Sequence, residues 1–132
     1  MNYIKAKVTS LQSVEKISIV TFEANQQIMS MMSLELNPKI QKGTRVLLGV
    51  KSTNITLARR IEKEISIDNQ LPVKVTHINI GELLCSVTCS FSEEQIESVI
   101  TATSAQKMKL KAGDEIVALI KPSELSILEV LS

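Results

Sequence analysis

Apolar and polar positions alternate from the start of the chain, where Ile4, Ala6 and Val8 are separated by Lys5 and Lys7. A period of two sends successive side chains to opposite faces, which is the pattern of a half-exposed strand. The pattern returns over residues 17–24, where Ile17, Ile19 and Thr21 oppose Ser18, Val20 and Phe22. Shorter apolar runs at 28–33, 45–50 and 54–57 predict three more strands. Between them lie breaks of recognisable chemistry: polar residues 13–16, a hairpin turn at Asn25-Gln26-Gln27, and Gly43 before the fourth strand. Residues 34–40 contain Pro38 and leave room for no more than a turn of helix.

The same order then repeats. Strands are expected at 73–80, 83–91, 96–101, 115–120 and 125–128, with a turn at Gly81-Glu82 and a polar break at 92–95. Val75-Thr76 echoes Val8-Thr9 at an offset of 67 (75 minus 8), and Val87-Thr88 echoes Val20-Thr21 at the same offset. Later the offset is 70, for Gly113 against Gly43 and for Lys121 against Lys51. Three extra residues therefore enter between these points. Residues 103–110 have hydroxyls at their start and Lys107 and Lys109 near their end, as a short capped helix would. The expected fold is all-β: two tandem small five-stranded barrels of the oligonucleotide-binding type, each with one short helix or turn. The units are 1–58 and 71–132, joined by 59–70. That segment lacks glycine, carries three isoleucines with Ile61 and Ile65 at helical spacing, and reads as ordered.

Each unit has about sixty residues, close to the lower limit for independent stability. The units are therefore expected to pack together, and a homo-oligomer, dimer or trimer, would bury more. The methionine-rich run at 28–32 fits an edge or interface strand and equally a core position. With 44% apolar and 22% charged residues the chain is expected to build a packed core. Its net charge of +1 speaks against non-specific nucleic-acid or membrane-surface binding. No apolar run approaches membrane-spanning length and the N-terminal residues lack a signal-peptide core, so the expected compartment is the cytoplasm.

Cys85 and Cys89 fall on one face of a predicted strand with Val87 and read as small buried hydrophobes. One histidine, His77, and no second cysteine pair leave no cation site. Asp68 and Asp114 are the only aspartates, and no nucleophile has an obvious base, so no catalytic machinery is expected. The chemistry that remains is a set of donors near strand ends: Ser33, Lys51, Ser52 and Thr53 in the first unit, Thr101, Ser104, Lys121 and Ser123 in the second, and Ser66 and Asn69 between them. Hydroxyls, an amide and ammonium groups suit a small oxyanion, whose oxygens only accept.

Three motifs carry a family resemblance: I-T at Ile100-Thr101, L-K-A-G-D-E-I-V-A-L-I-K-P-S from Leu110, and S-I-D-N-Q-L-P from Ser66. The repeated unit resembles the molybdate-binding Mop, or TOBE-type, domain. The tandem is similar to di-domain molbindins and to the C-terminal effector half of the bacterial molybdate-responsive transcription regulator. The resemblance implies two barrels that bind molybdate or tungstate in sites shared between units or subunits, with no cofactor. Carried over by position, the oxyanion ligands are Ser66, Asn69, Thr101, Lys121 and Ser123, with Ser33, Lys51, Ser52 and Thr53 as first-unit counterparts. Asp68 departs from the arginine common in the family, Pro122 removes a backbone donor, and the first unit has no S-A-R-N-Q run before Tyr3. The implied role is non-catalytic storage, buffering or sensing, with no DNA or membrane contact by these residues. Two alternatives belong to other classes. A single-stranded nucleic-acid module would need more aromatic platforms than Tyr3, Phe22 and Phe91 and a basic groove. An oligomerisation or accessory domain of a molybdate regulator or transporter ATPase would need no ligand.

Overall fold

A computed structural model describes all residues 1–132. Ten strands occur in the expected order: β1 (Asn2–Val14), β2 (Ile17–Ala24), β3 (Gln27–Leu34), β4 (Arg45–Val50), β5 (Thr56–Ala58), β6 (Asn69–Ile80), β7 (Leu84–Phe91), β8 (Glu94–Thr101), β9 (Glu115–Ile120) and β10 (Ser126–Val130). One helix, α1 (Ala102–Met108), precedes β9. The fold is all-β, with the alternation in β1 appearing as alternating burial from Asn2 to Val8.

The strands form two five-stranded antiparallel sheets, in the orders β10-β4-β1-β2-β3 and β5-β9-β6-β7-β8. The fifth strand of each sheet comes from the other half of the chain. β10 pairs with β4, Ile127 opposite Leu48, while β5 pairs with β9, Leu57 opposite Ala118. One core cluster of 27 buried residues runs through both halves, from Ile4, Phe22 and Leu48 to Leu71, Val87 and Ile120. Exchange of the end strands and a shared core tie together two units that are each small for their own stability.

The Val-Thr echoes lie at matching irregularities. β1 slips register between Val8 and Ser10, and β6 between Val75 and His77. The extra residue is a threonine in each case, and its hydroxyl donates to the partner strand, Thr9 to the Thr21 carbonyl and Thr76 to the Thr88 carbonyl. Such a bulge bends and twists a strand as a small barrel requires. The repeated glycine turn docks on this bend: Gly43 and Gly113 N–H donate to the Val8 and Val75 carbonyls, both at 2.8 Å. Both glycines have φ near +95°, at +93° and +95°, a conformation that side-chain-bearing residues rarely adopt. The repeated turn is thus a scaffold element.

The three inserted residues fall in the segment that forms α1, which starts one position earlier than the hydroxyl pattern alone suggests. Thr101 is its N-cap and Lys109, at φ 53°, its left-handed C-cap. The corresponding first-half segment, with Pro38, stays irregular. Residues 59–68 contain no helix, contrary to the spacing of Ile61 and Ile65, which are both exposed. Without an apolar surface to cover, an isoleucine stripe gives no reason to coil. The segment is held by hydrogen bonds: Gln70 brackets the Glu62 backbone, and Arg59 meets Asp114 at 2.9 Å and the Met108 and Lys109 carbonyls.

Cys85 and Cys89 are buried free thiols, as the strand pattern requires. Burial pushes the Cys89 thiol up to about 11.

Candidate functional site

β4 and β9 both end on a lysine with nearly the same backbone, Lys51 at φ −70°, ψ 142° and Lys121 at φ −66°, ψ 141°. Each lysine leads into one 3-10 turn, Ser52–Asn54 or Pro122–Glu124. The turn is closed by a 2.9 Å hydrogen bond from Asn54 or Glu124 N–H to the lysine carbonyl, and then buried Ile55 or Leu125 anchors the chain. Pro122 stands at the first turn position, where a missing N–H removes no turn hydrogen bond. The two turns meet, since Asn54 Nδ2 donates to Glu124 Oε2 at 2.8 Å. Lys51 and Lys121 are exposed, and neither takes part in an ion pair; Arg59–Asp114 is the only one.

Each turn packs on an edge strand from the opposite half, the Lys51 turn on β8 and the Lys121 turn on β3. An asparagine fixes each of these edges. Asn69 Oδ1 accepts from Ser30 N–H at 2.7 Å while its Nδ2 donates to the Ser30 carbonyl at 2.9 Å. Asn2 does the same for Glu97, with both bonds at 2.8 Å. The two clamps are related by the offset of 67, Asn69 to Asn2 and Glu97 to Ser30. An unpaired strand edge needs its backbone groups satisfied, and here a buried side-chain amide stands in for a neighbouring strand.

The donors singled out from the sequence fall into separate groups. Ser33 and Ser123 line one open cleft of about 560 Å³ between the end of β3 and β10, with Met31, Leu34 and Leu125 also on its wall. Thr53 and Lys121 share a smaller hollow of about 210 Å³ with Ile67 and Glu124. Asn69 is 1% exposed, and both polar atoms of its side chain are engaged by Ser30. Ser66 is exposed on the connecting segment and has no side-chain hydrogen bond. Thr101 Oγ1 accepts from Ser104 N–H at 3.1 Å and lies 2.9 Å from Ser104 Oγ, so its hydroxyl caps α1. Ser52 Oγ donates to Glu97 Oε1 at 3.0 Å. Lys51 precedes Ser52 in the chain and makes no ion pair with this carboxylate. No group of three or more His, Cys, Asp or Glu side chains converges on a point.

Asn2, Ser30, Ser86 and Glu97 were not among the sequence candidates. Asn2 carried a signal, because Asn69 minus Asn2 is 67, the offset of the Val-Thr echo. Glu97 carried none, since only the fold brings β8 against the Lys51 turn. Its carboxylate accepts from Ser86 Oγ at 2.6 Å as well as from Ser52. These two hydroxyls, Ser86 first, hold the Glu97 carboxyl below its ordinary range against a smaller opposing effect of desolvation.

Residues 65–127 match the TOBE domain model. The match takes in 63 of the 132 residues. It opens just before β6, includes Ser66, Asn69, Thr101, Lys121 and Ser123, and ends in β10, the strand lent to the other sheet. The molybdenum import ATP-binding proteins ModC of Brucella abortus (strain 2308) and Brucella suis biovar 1 (strain 1330) are each 35% identical to this chain over 83 residues. The matches cover 62% of this chain and 23% of each relative, so the chain spans about a quarter of their length. A solved structure of the cytoplasmic molybdate-binding protein ModG with molybdate bound superposes with a TM-score of 0.88. It covers 95% of this chain and 93% of that one at 21% identity, which establishes a shared fold along both units, beyond the TOBE domain alone.

Proposed function

We propose that this chain binds a tetrahedral oxyanion, molybdate or tungstate, without transforming it, and serves in storage, buffering or sensing in the cytoplasm. The observation that carries the reading is the Lys121 turn: an exposed ammonium without an ion pair, followed by the Ser123 hydroxyl, inside the stretch that matches the TOBE domain model. The relatives matched at 35% identity are molybdenum import ATP-binding proteins. Lys121, Ser123, Ser33 and Thr53 supply donors around the turn, Ser66 precedes Ile67 of the Lys121 hollow, and Asn69 holds the Ser30 edge in place. Thr101 completes the candidate set, reached through a second chain where one chain leaves it apart; Lys51 and Ser52 form the first-unit counterpart of the turn. A dimer or trimer would bring such groups together.

Isothermal titration with molybdate, tungstate, sulfate and phosphate tests the reading. Selective heat with the first two is expected, and Lys121→Ala should weaken it at least tenfold while leaving the circular dichroism and melting temperature unchanged. Absence of heat with every anion would overturn the reading. A second reading, an accessory domain of a transporter ATPase without a ligand of its own, is favoured by the ModC matches. It predicts a chain that forms oligomers in light scattering and gives no heat.

A further inference from the structure

The two halves present the same scaffold at their lysine turns and opposite chemistry beside them. At the Lys51 turn the clamped edge residue is Glu97, and two hydroxyls donate to its carboxylate, Ser52 at 3.0 Å and Ser86 at 2.6 Å. At the Lys121 turn the clamped edge residue is Ser30. The positions matching Ser52 and Ser86 are Pro122 (52 plus 70) and Ile19 (86 minus 67), which have no side-chain donor. A carboxylate is itself a small anion whose oxygens only accept. Where the Lys121 turn meets a serine on the opposite half's edge, the Lys51 turn meets an anion on that edge, gripped by hydroxyls. The grip is well fixed, since the Asn2 clamp holds the Glu97 backbone on both its N–H and its carbonyl. The Lys121 side has two carboxylates nearby, neither gripped by a pair of hydroxyls: Glu124 of the turn accepts from Asn54 Nδ2 at 2.8 Å, and Asp68 makes one 3.5 Å contact with Ser30 Oγ from an exposed segment.

We propose that Glu97 is the built-in occupant of the Lys51 half-site and confines external oxyanion binding to the Lys121 side of each chain. The proposal rests on the oxyanion-binding reading above. The charge argument is direct: an incoming dianion would meet the Glu97 carboxylate where it needs donors, and both serine hydroxyls are already committed. Removing the carboxylate frees the Ser52 and Ser86 hydroxyls at the turn that follows Lys51 and leaves donors with no acceptor.

The test counts molybdate bound per chain by equilibrium dialysis for the parent chain, Glu97→Ser, which copies the Ser30 side, and Glu97→Gln, which keeps the side-chain length. Lys51→Ala is placed on the parent and on each variant. The parent should show one class of site, insensitive to Lys51→Ala. The Glu97 variants should gain a second class, doubling the bound molybdate, and lose it again with Lys51→Ala. Folded Glu97 variants that bind no more than the parent would overturn the proposal, as would a parent site lost with Lys51→Ala. If Glu97→Ser does not fold, Glu97→Gln decides. Binding by the variants but not by the parent would uphold the role of Glu97 and refute the Lys121 site. Binding by none would refute both.

Discussion

Replacing Asn69 by alanine separates a scaffold role from a direct role in ligand binding. In the structure the side chain replaces a missing strand: its amide accepts from and donates to the two Ser30 backbone groups that face away from β2, at 2.7 and 2.9 Å. Asn69 is 1% exposed, so removing the amide leaves a donor and an acceptor facing a small apolar gap. Two lost hydrogen bonds with partly unsatisfied partners cost about 2–4 kcal/mol. With an unfolding entropy near 2.1 cal/mol/K per residue, a chain of this length should lose about 7–14 °C in melting temperature. Asn69→Asp should be at least as damaging, because its second oxygen would face the Ser30 carbonyl. The assay is thermal unfolding by circular dichroism together with molybdate titration of the folded protein. A melting shift below about 2 °C would refute the scaffold argument. So would a loss of oxyanion affinity at unchanged stability, which would make Asn69 a ligand first.

Three further outcomes follow from other parts of the fold. Gly113→Ala should cost about 1 kcal/mol in urea unfolding although a methyl there meets nothing within 4 Å, because the penalty comes from φ +95°; a neutral substitution would show that the turn relaxes freely. The Glu97 carboxyl titrates below its ordinary value of 4.5 in the folded state, so its stabilising contribution is complete above that pH and lost as pH falls through the depressed value. Glu97→Gln should therefore flatten the acid limb of melting temperature against pH, and an unchanged limb would contradict the Ser86 and Ser52 bonds. Cys89, buried and with its thiol raised to about 11, should react with a thiol reagent at neutral pH only as fast as the chain opens; rapid labelling without denaturant would place it at the surface.

The strand pattern of this protein was open to reading because a half-buried strand must alternate, and β1, β2 and β7 do. The hydroxyl-to-lysine gradient likewise marked α1, with its start displaced by the Thr101 cap. The isoleucine spacing at Ile61 and Ile65 carries no helix, since helical period without a surface to cover is only composition. The candidate site was legible in part. A lysine ending each central strand, with a hydroxyl close behind it, is written in the chain, but the partner of each turn is not. Asn2 could have been found from its offset to Asn69. Glu97, Ser86 and Ser30 could not, as nothing in their neighbourhoods announces them.

By itself, the order of residues determined two similar all-β units, the glycine turns that need positive φ, the bulge threonines and the repeated strand-terminal lysine. These are local properties, set by side-chain period and backbone sterics within a few residues. Only the tertiary structure decided that β5 and β10 cross to the opposite sheets and that each lysine turn rests on the other half's edge. It also decided that one turn faces a serine and the other a gripped carboxylate. Those pairings join residues 39 to 95 positions apart, and no local preference specifies them. They follow from closing two small barrels around one core.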